Sequence, residues 1–274
     1  EGEGNFYNDP LFCDVDSSDF TLHNNSPCAG TGQDGAHIGA LGVGCDAYAG
    51  DVGDNITVGD SPFYISPSGN EFASGTEDDP FGSFQAAFDY TVSGDTIYVM
   101  PGTYSGDFNQ GISASSHDLT IIGTGSVDET IFDLNQQFIS FSTGASGTIK
   151  NLTFTGSTSN SHAITLWNPN NNYNYEVLTL DNCKFLDLQG RSVRVSNYQV
   201  GNISNCVFAG NIPPGNNVGG SSVYLDNNAE LNLSDCLFYN NQDINSYGAI
   251  SGTILTSQSN YTINIDGCTF YDNG

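Results

Sequence analysis

The sequence predicts an all-β solenoid, and three observations predict it. The 274 residues are rich in turn formers, with 33 Gly and many Asn, Ser, Thr and Asp, while strong helix formers are scarce. A hexapeptide recurs five times without gaps: IKNLTF ending at Phe154, LDNCKF at Phe185, ISNCVF at Phe208, LSDCLF at Phe238 and IDGCTF at Phe270. The fourth positions, Leu152, Cys183, Cys206, Cys236 and Cys268, are 31, 23, 30 and 32 residues apart. A fixed motif at uneven intervals suits coils that keep one corner and vary in loop length.

Within each hexapeptide the aliphatic, Cys/Leu and Phe positions are expected to face inward, with a two-residue polar corner between the first and the second. Coils stacked about 4.8 Å apart then place Phe154, Phe185, Phe208, Phe238 and Phe270 in one column and the Cys/Leu positions in another. Asn151, Asn182, Asn205 and Asp235 become a polar ladder at the corner. Cys183, Cys206, Cys236 and Cys268 are expected as buried thiols acting as small hydrophobes.

Charge narrows the partners. Lys and Arg number 4 against 31 Asp and Glu, a net charge of -27. Such a surface repels phosphate backbones and anionic lipid, so neither nucleic acid nor membrane insertion is expected. Hydrophobic content of 37%, with 14 Tyr and 17 Phe, still supplies a core.

The hexapeptide rows resemble the inner stacks and turn ladder of right-handed parallel β-helices of the pectate-lyase-like superfamily, so that fold is expected over 63–274. FYISPSGNEFASGTEDDPFGSFQAAFDYTVSGDTIYVMPGTY, residues 63–104, is similar to the opening of bacterial extracellular β-helix domains. A short capping helix near 80–92 is expected there, from the apolar stripe Phe81, Phe84, Ala87 and Phe88, with Asp79 as N-cap and Gly94 as stop. By resemblance the helix plugs the first coil.

NDPLFCDVDSSDFTLHNNSPCAGTGQDGAHIGALGVGC, residues 8–45, resembles the segment that closes such helices, so the closing segment precedes the opening one. Glu1 reads as a processed or segment start, residues 1–45 as a cap completing a neighbouring β-helix, and 46–62 as an acidic Gly-containing connector. That order implies other copies as partners, head to tail, in a filament or as periods of a tandem repeat; an arbitrary fragment is the plain alternative. The segment carries Cys13, Cys28 and Cys45, three cysteines that permit at most one bridge. Cys13 to Cys45 is preferred in an oxidising setting, extracellular or at the cell surface, although the sequence leaves the pairing open.

Chemistry is weakly signalled. A uronate lyase needs cations to neutralise the substrate carboxylate. Lys150 and Lys184 sit at outward hexapeptide positions, and Arg191 and Arg194 in GRSVRV have opposite parity, so a regular strand sends them to different faces. No converging pair is expected, and the cations are read as surface partners of Asp181 or Asp187. Glycosidase chemistry needs two spaced carboxylates, but 31 acids supply such pairs by chance. The chain is therefore expected to be structural and not an enzyme, without a cofactor. A cell-surface carbohydrate-binding or polysaccharide-cleaving β-helix is the alternative. Two minor candidates remain: DVDSSD, with Asp14, Asp16 and Asp19, starts like a calcium loop but lacks Gly at the sixth position and Glu at the twelfth. LWNPNNNYNYEV offers Trp167, Tyr173 and Tyr175 as an aromatic contact for sugar or a neighbouring copy.

Overall fold

A computed structural model describes residues 10, 12–14, 19–24, 26, 28–30, 36, 41–45, 59–156, 162–168, 175–212, 222–242, 249–253 and 260–273. The chain divides into two units, Glu1–Ile56 and Thr57–Gly274. In the first, Phe12–Asp14 pairs antiparallel with Asp19–His23, which pairs parallel with Val43–Cys45. Cys13 and Cys45 are joined as a disulfide with Cα atoms 6.1 Å apart, and Leu22 is buried.

The second unit is a right-handed parallel β-helix. One coil shows the plan: Arg191–Ser196, then Val200–Ser204, then Val207–Ala209. Each strand pairs in parallel with its counterpart in the next coil, producing three sheets of six, eight and seven strands. We call these face 1 (Ile112–Ser115 through Ile250–Thr253), face 2 (Phe63–Ile65 through Thr262–Asp266) and face 3 (Gly102–Tyr104 through Thr269–Tyr271). Because equivalent residues are hydrogen-bonded in register, like side chains stack. Phe154, Phe185, Phe208 and Phe238 are fully buried, and Phe185, Phe208, Phe238 and Phe270 stack almost coplanar with centroids 4.6–4.8 Å apart. Leu152, Cys183, Cys206 and Cys236 lie beside them, buried, with Cys268 less so. The thiols donate to main-chain carbonyls, as from Cys206 Sγ to Ser204 (3.1 Å) and from Cys236 Sγ to Ser234 (3.3 Å).

The corner between faces 2 and 3 needs a left-handed residue in every coil. Asn151, Asn182, Asn205 and Asp235 fill it with φ of 50–56°, and Gly267 does so in the last coil with φ 62°. Asn and Asp tolerate this conformation because their short polar side chains bond locally. The ladder is partial: Asn182 Nδ2 donates to Asn151 Oδ1 (2.9 Å), but Asn205 Nδ2 turns to Asp181 Oδ1 (2.9 Å). That bond, ahead of Ser204 and Lys150, outweighs desolvation and holds the Asp181 carboxyl below its ordinary range.

A second ladder lies inside, where the hexapeptide had ended. Asn211 and Asn241 are fully buried; their Nδ2 groups donate to Phe185 and Phe208 carbonyls, and to Asn241 Oδ1 and Asn273 Oδ1 respectively. In the last three coils the motif therefore runs three residues past Phe208, Phe238 and Phe270, through FAGN, FYNN and FYDN.

The expected helix over 80–92 shrinks to Phe84–Phe88, with Ser83 as its N-cap, accepting from the Ala86 N–H at 3.2 Å. Strand pairing causes the shift: Phe81 still bridges Ile65, exchanging main-chain bonds with Tyr64 and Ser66, so the chain is extended two residues past Asp79. Asp79 instead accepts from the Ser74 N–H (2.7 Å). Phe84 and Ala87 are buried, with Phe84 against Phe132 and Phe138.

The two ladders differ in what their loss costs. Asn241→Ala strips donors from buried carbonyls and should destabilise by about 3 kcal/mol or more. Asn182→Ala, at the exposed corner, loses only αL tolerance and one surface bond, about 1 kcal/mol. Urea unfolding midpoints of the two variants check this order, and equal costs would contradict it.

Candidate functional site

Outward columns vary from coil to coil, and on face 1 they pass from Ser in the first coils to charged and aromatic residues in the middle ones. In-register pairing places Thr165, Arg194 and Tyr224 in one column, and Trp167, Ser196 and Asp226 in the next. His162 pairs with Arg191 at the start of the same strands.

Both arginines reach this face, which corrects the expectation that alternation would separate them. The N–H groups of Ser192 and Val193 donate to one carbonyl, Ser222 O, at 3.1 and 2.9 Å. Two consecutive residues opposite one is a β-bulge, and it resets the alternation, so that Arg191 falls on the side of Arg194. The next coil repeats the device, with Ser222 and Val223 both donating to Ala249 O (3.2 and 3.1 Å). Arg191 Cζ then lies 5.1 Å above the Tyr224 ring, a cation–π contact, and the His162 ring centre is 6.0 Å from that of Tyr224. Arg194 Nη2 donates to Asp226 Oδ2 at 2.8 Å, and the Asp226 side chain is almost wholly buried.

Electrostatics follow from this placement. Burial, then the charges of Arg191 and Arg194, push the His162 imidazole down to about 3, so it is neutral at ordinary pH. The cluster is also unusually rich in unsatisfied polar atoms. His162 Nε2, Arg194 Nε, Asp226 Oδ1 and the hydroxyls of Ser192, Ser196, Ser222 and Ser251 are buried with no hydrogen-bond partner among the described residues. Buried polar groups are nearly always paired, so a set of this size is an exception, and each of its atoms is closed off from the surface.

The other sequence candidates fall elsewhere. Trp167 is 39% exposed and borders the cluster in the column of Ser196 and Asp226; Tyr175 is exposed; Tyr173 lies outside the described residues. Asp19 Oδ1 accepts from the Thr21 N–H (3.0 Å) and hydroxyl (2.6 Å), closing a local turn. Asp16 and the Asp14 side chain lie outside the described residues. Lys150 pairs with Asp181 (3.9 Å), and Lys184 pairs with Asp128, not Asp187. His23 Nδ1 sits 3.0 Å from Cys45 Sγ, a proximity with no spacing signal in the sequence, but that sulfur is committed to Cys13.

Sequence reasoning had no route to Tyr224 and Asp226, which sit in an unremarkable SSVYLDNN. The readable signal was GRSVRV itself, two cations in a chain that has 4, provided that a bulge is allowed.

The sequence model of the family described as a right-handed β-helix region matches residues 137–274, half of the chain. A stretch of 52 residues, 19% of the chain, is 44% identical to pectate lyase PEL9 of Emericella nidulans and spans 13% of that protein. Among solved structures, a rhamnogalacturonan lyase superposes with a TM-score of 0.53 at 16% identity, over 75% of this chain and 56% of that one, a likeness of fold. The chain thus spans little more than half of the one and a small part of the other. The pectate lyase relative overturns the expectation of a protein without catalysis, and favours the carbohydrate alternative over the head-to-tail rod. One physical ground for that expectation, the separated arginines, is removed by the bulge.

The neutral buried imidazole has a definite pH signature. An unfolded chain protonates His162 near pH 6.5, whereas the folded one does so only near 3. Stability owed to this residue is therefore constant above about 6.5 and falls as pH drops toward 3. Replacing His162 by Gln should remove that part of the acid sensitivity in urea unfolding followed between pH 7 and 4. An imidazole that titrates near 6.5 by NMR would contradict the buried placement.

Proposed function

Since the chain belongs to the right-handed β-helix family, we propose that it is a polysaccharide-cleaving protein of the extracellular space or cell surface, with face 1 as its working surface. The single observation that carries this reading is the convergence of Arg191, Arg194, His162, Tyr224 and Asp226 on one bulged face, with unsatisfied polar atoms beside an exposed Trp167. In a chain of net charge -27, two arginines on one surface are a local exception. They suit a polymer whose sugars bear carboxylates, with planar guanidinium donors matching each carboxylate. Asp226 holds Arg194 through Nη2 and leaves its Nε free of partners among the described residues. Trp167 offers an apolar ring for the face of a sugar.

The reaction class that fits is β-elimination. A base takes the proton from the carbon next to the carboxylate, the electron pair becomes a carbon–carbon double bond, and the glycosidic oxygen departs and takes a proton from water. His162, neutral, buried and with Nε2 unpaired, is the base in this reading. In the free protein burial first, and then the two guanidinium charges, weaken it. A carboxylate bound between them offsets those charges, so binding itself raises the affinity of His162 for a proton. The same arginines stabilise the negative charge that develops on the substrate carboxylate. The Cys13–Cys45 disulfide in the first unit accords with an oxidising compartment, and no helix among the described residues is long and apolar enough to cross a membrane.

Incubation with polygalacturonate and rhamnogalacturonan, with and without added calcium, tests the reading through the ultraviolet absorbance of unsaturated products. Cleavage of at least one polymer is expected, with kcat/KM lowered about a hundredfold in Arg194→Ala. Absence of unsaturated product from every uronate polymer would rule out elimination on this face.

A further inference from the structure

Face 2 carries a different surface. A groove of about 410 Å³ lies on it, lined by Thr179, Asn202, Asn232 and Asn264 with Ser204 and Ser234 alongside. Register makes Thr179, Asn202, Asn232 and Asn264 one outward column, and pairing of the preceding coils extends it back through Thr148, Thr120 and Thr96. Seven rungs at about 4.8 Å give a strip of roughly 29 Å parallel to the helix axis. Asn232 Nδ2 donates to Asn202 Oδ1 (3.0 Å), and Asn264 Nδ2 to Asn232 Oδ1 (2.8 Å). The amides are thereby aligned along the strip.

We propose that this strip is a second glycan-binding surface, taking an uncharged polysaccharide laid along the helix axis, separate from the cluster on face 1. Hydrogen-bonding chemistry points to the class. From Thr179 to Asn232 the main-chain groups of face 2 are consumed by pairing between coils, so a peptide laid along this part of the strip finds no edge to extend; the sheet edge is Thr262–Asp266, at one end of the groove. Ile203 and Leu233, between the rungs, are buried, and the exposed apolar surface of the groove is confined to Ile265 at its end. What the groove presents are amides and hydroxyls, which donate and accept at once and match a chain of sugar hydroxyls. Charge excludes a polyanion: Asp266 lines the groove, Asp181 and Glu230 flank it, and Lys150, the cation of this face, is taken by Asp181. Charge and hydrogen-bonding capacity together therefore point this face to neutral chains. This inference does not depend on the chemistry proposed for face 1.

Affinity electrophoresis of the full chain through native gels containing hydroxyethylcellulose, galactomannan or polygalacturonate tests it. Retardation by at least one neutral polymer is expected, weakened tenfold or more by Asn232→Ala and by Ser234→Tyr, which fills the groove without removing a ladder bond, and unaltered by Arg194→Ala. If Asn232→Ala fails to fold, Ser234→Tyr decides alone. No retardation in either neutral gel overturns the proposal, as does retardation lost in Arg194→Ala and kept in Ser234→Tyr. Retardation by polygalacturonate that Ser234→Tyr abolishes would overturn the charge argument.

Discussion

In-register parallel pairing between coils is the constraint on which the rest of this structure depends. Once each strand hydrogen-bonds its equivalent about 4.8 Å away, a residue's nearest neighbour is its own counterpart, and each column must choose a side chain that packs against itself. Phe satisfies this by stacking coplanar, Cys by being small with a thiol that reaches a local carbonyl, and Asn by donating and accepting in one direction. Stability is accordingly shared along columns, and a single substitution is felt by the coils on either side of it. The left-handed corner between faces 2 and 3 is part of the same repetition, since every coil must turn at the same place to remain in register.

Against this background, a face whose buried polar atoms stay unpaired needs another explanation. The outward columns of face 1 read Thr, Arg, Tyr and Trp, Ser, Asp on successive coils, in-register neighbours that do not satisfy one another. The bulges at Ser192–Val193 and Ser222–Val223 interrupt the ladder at the edge of the same face. Regular packing and hydrogen bonding are both relaxed there, the pattern expected where selection acts on a ligand instead of on the fold. Face 2 is the converse case, a column that repeats so faithfully that it becomes an extended recognition surface.

The inner columns were legible in the sequence because the hexapeptide carries them directly: inward positions at fixed offsets, and Asn or Asp where the chain must turn left-handed. The inner Asn211–Asn241–Asn273 ladder was missed only because the motif was closed at Phe, three residues short. The helix cap was misplaced because Phe81 pairs with a strand distant in sequence, and no local propensity reports such a bond. The clustering of the arginines was illegible for a deeper reason. Strand parity is a local rule, whereas a bulge is defined by what the neighbouring coil offers, here one carbonyl for two N–H groups. His162, Tyr224 and Asp226 come from three coils and meet only through register, so none carries a motif.

Arg191 and Arg194 are the only arginines in the chain, and their guanidinium Nε–H signals can be followed one by one by NMR while an oligogalacturonide is added. The account predicts that both signals shift together, saturably and with one affinity, because the bulge sets both guanidinium groups around a single carboxylate-binding surface. Signals that stay unmoved, or that titrate with separate affinities, would contradict it.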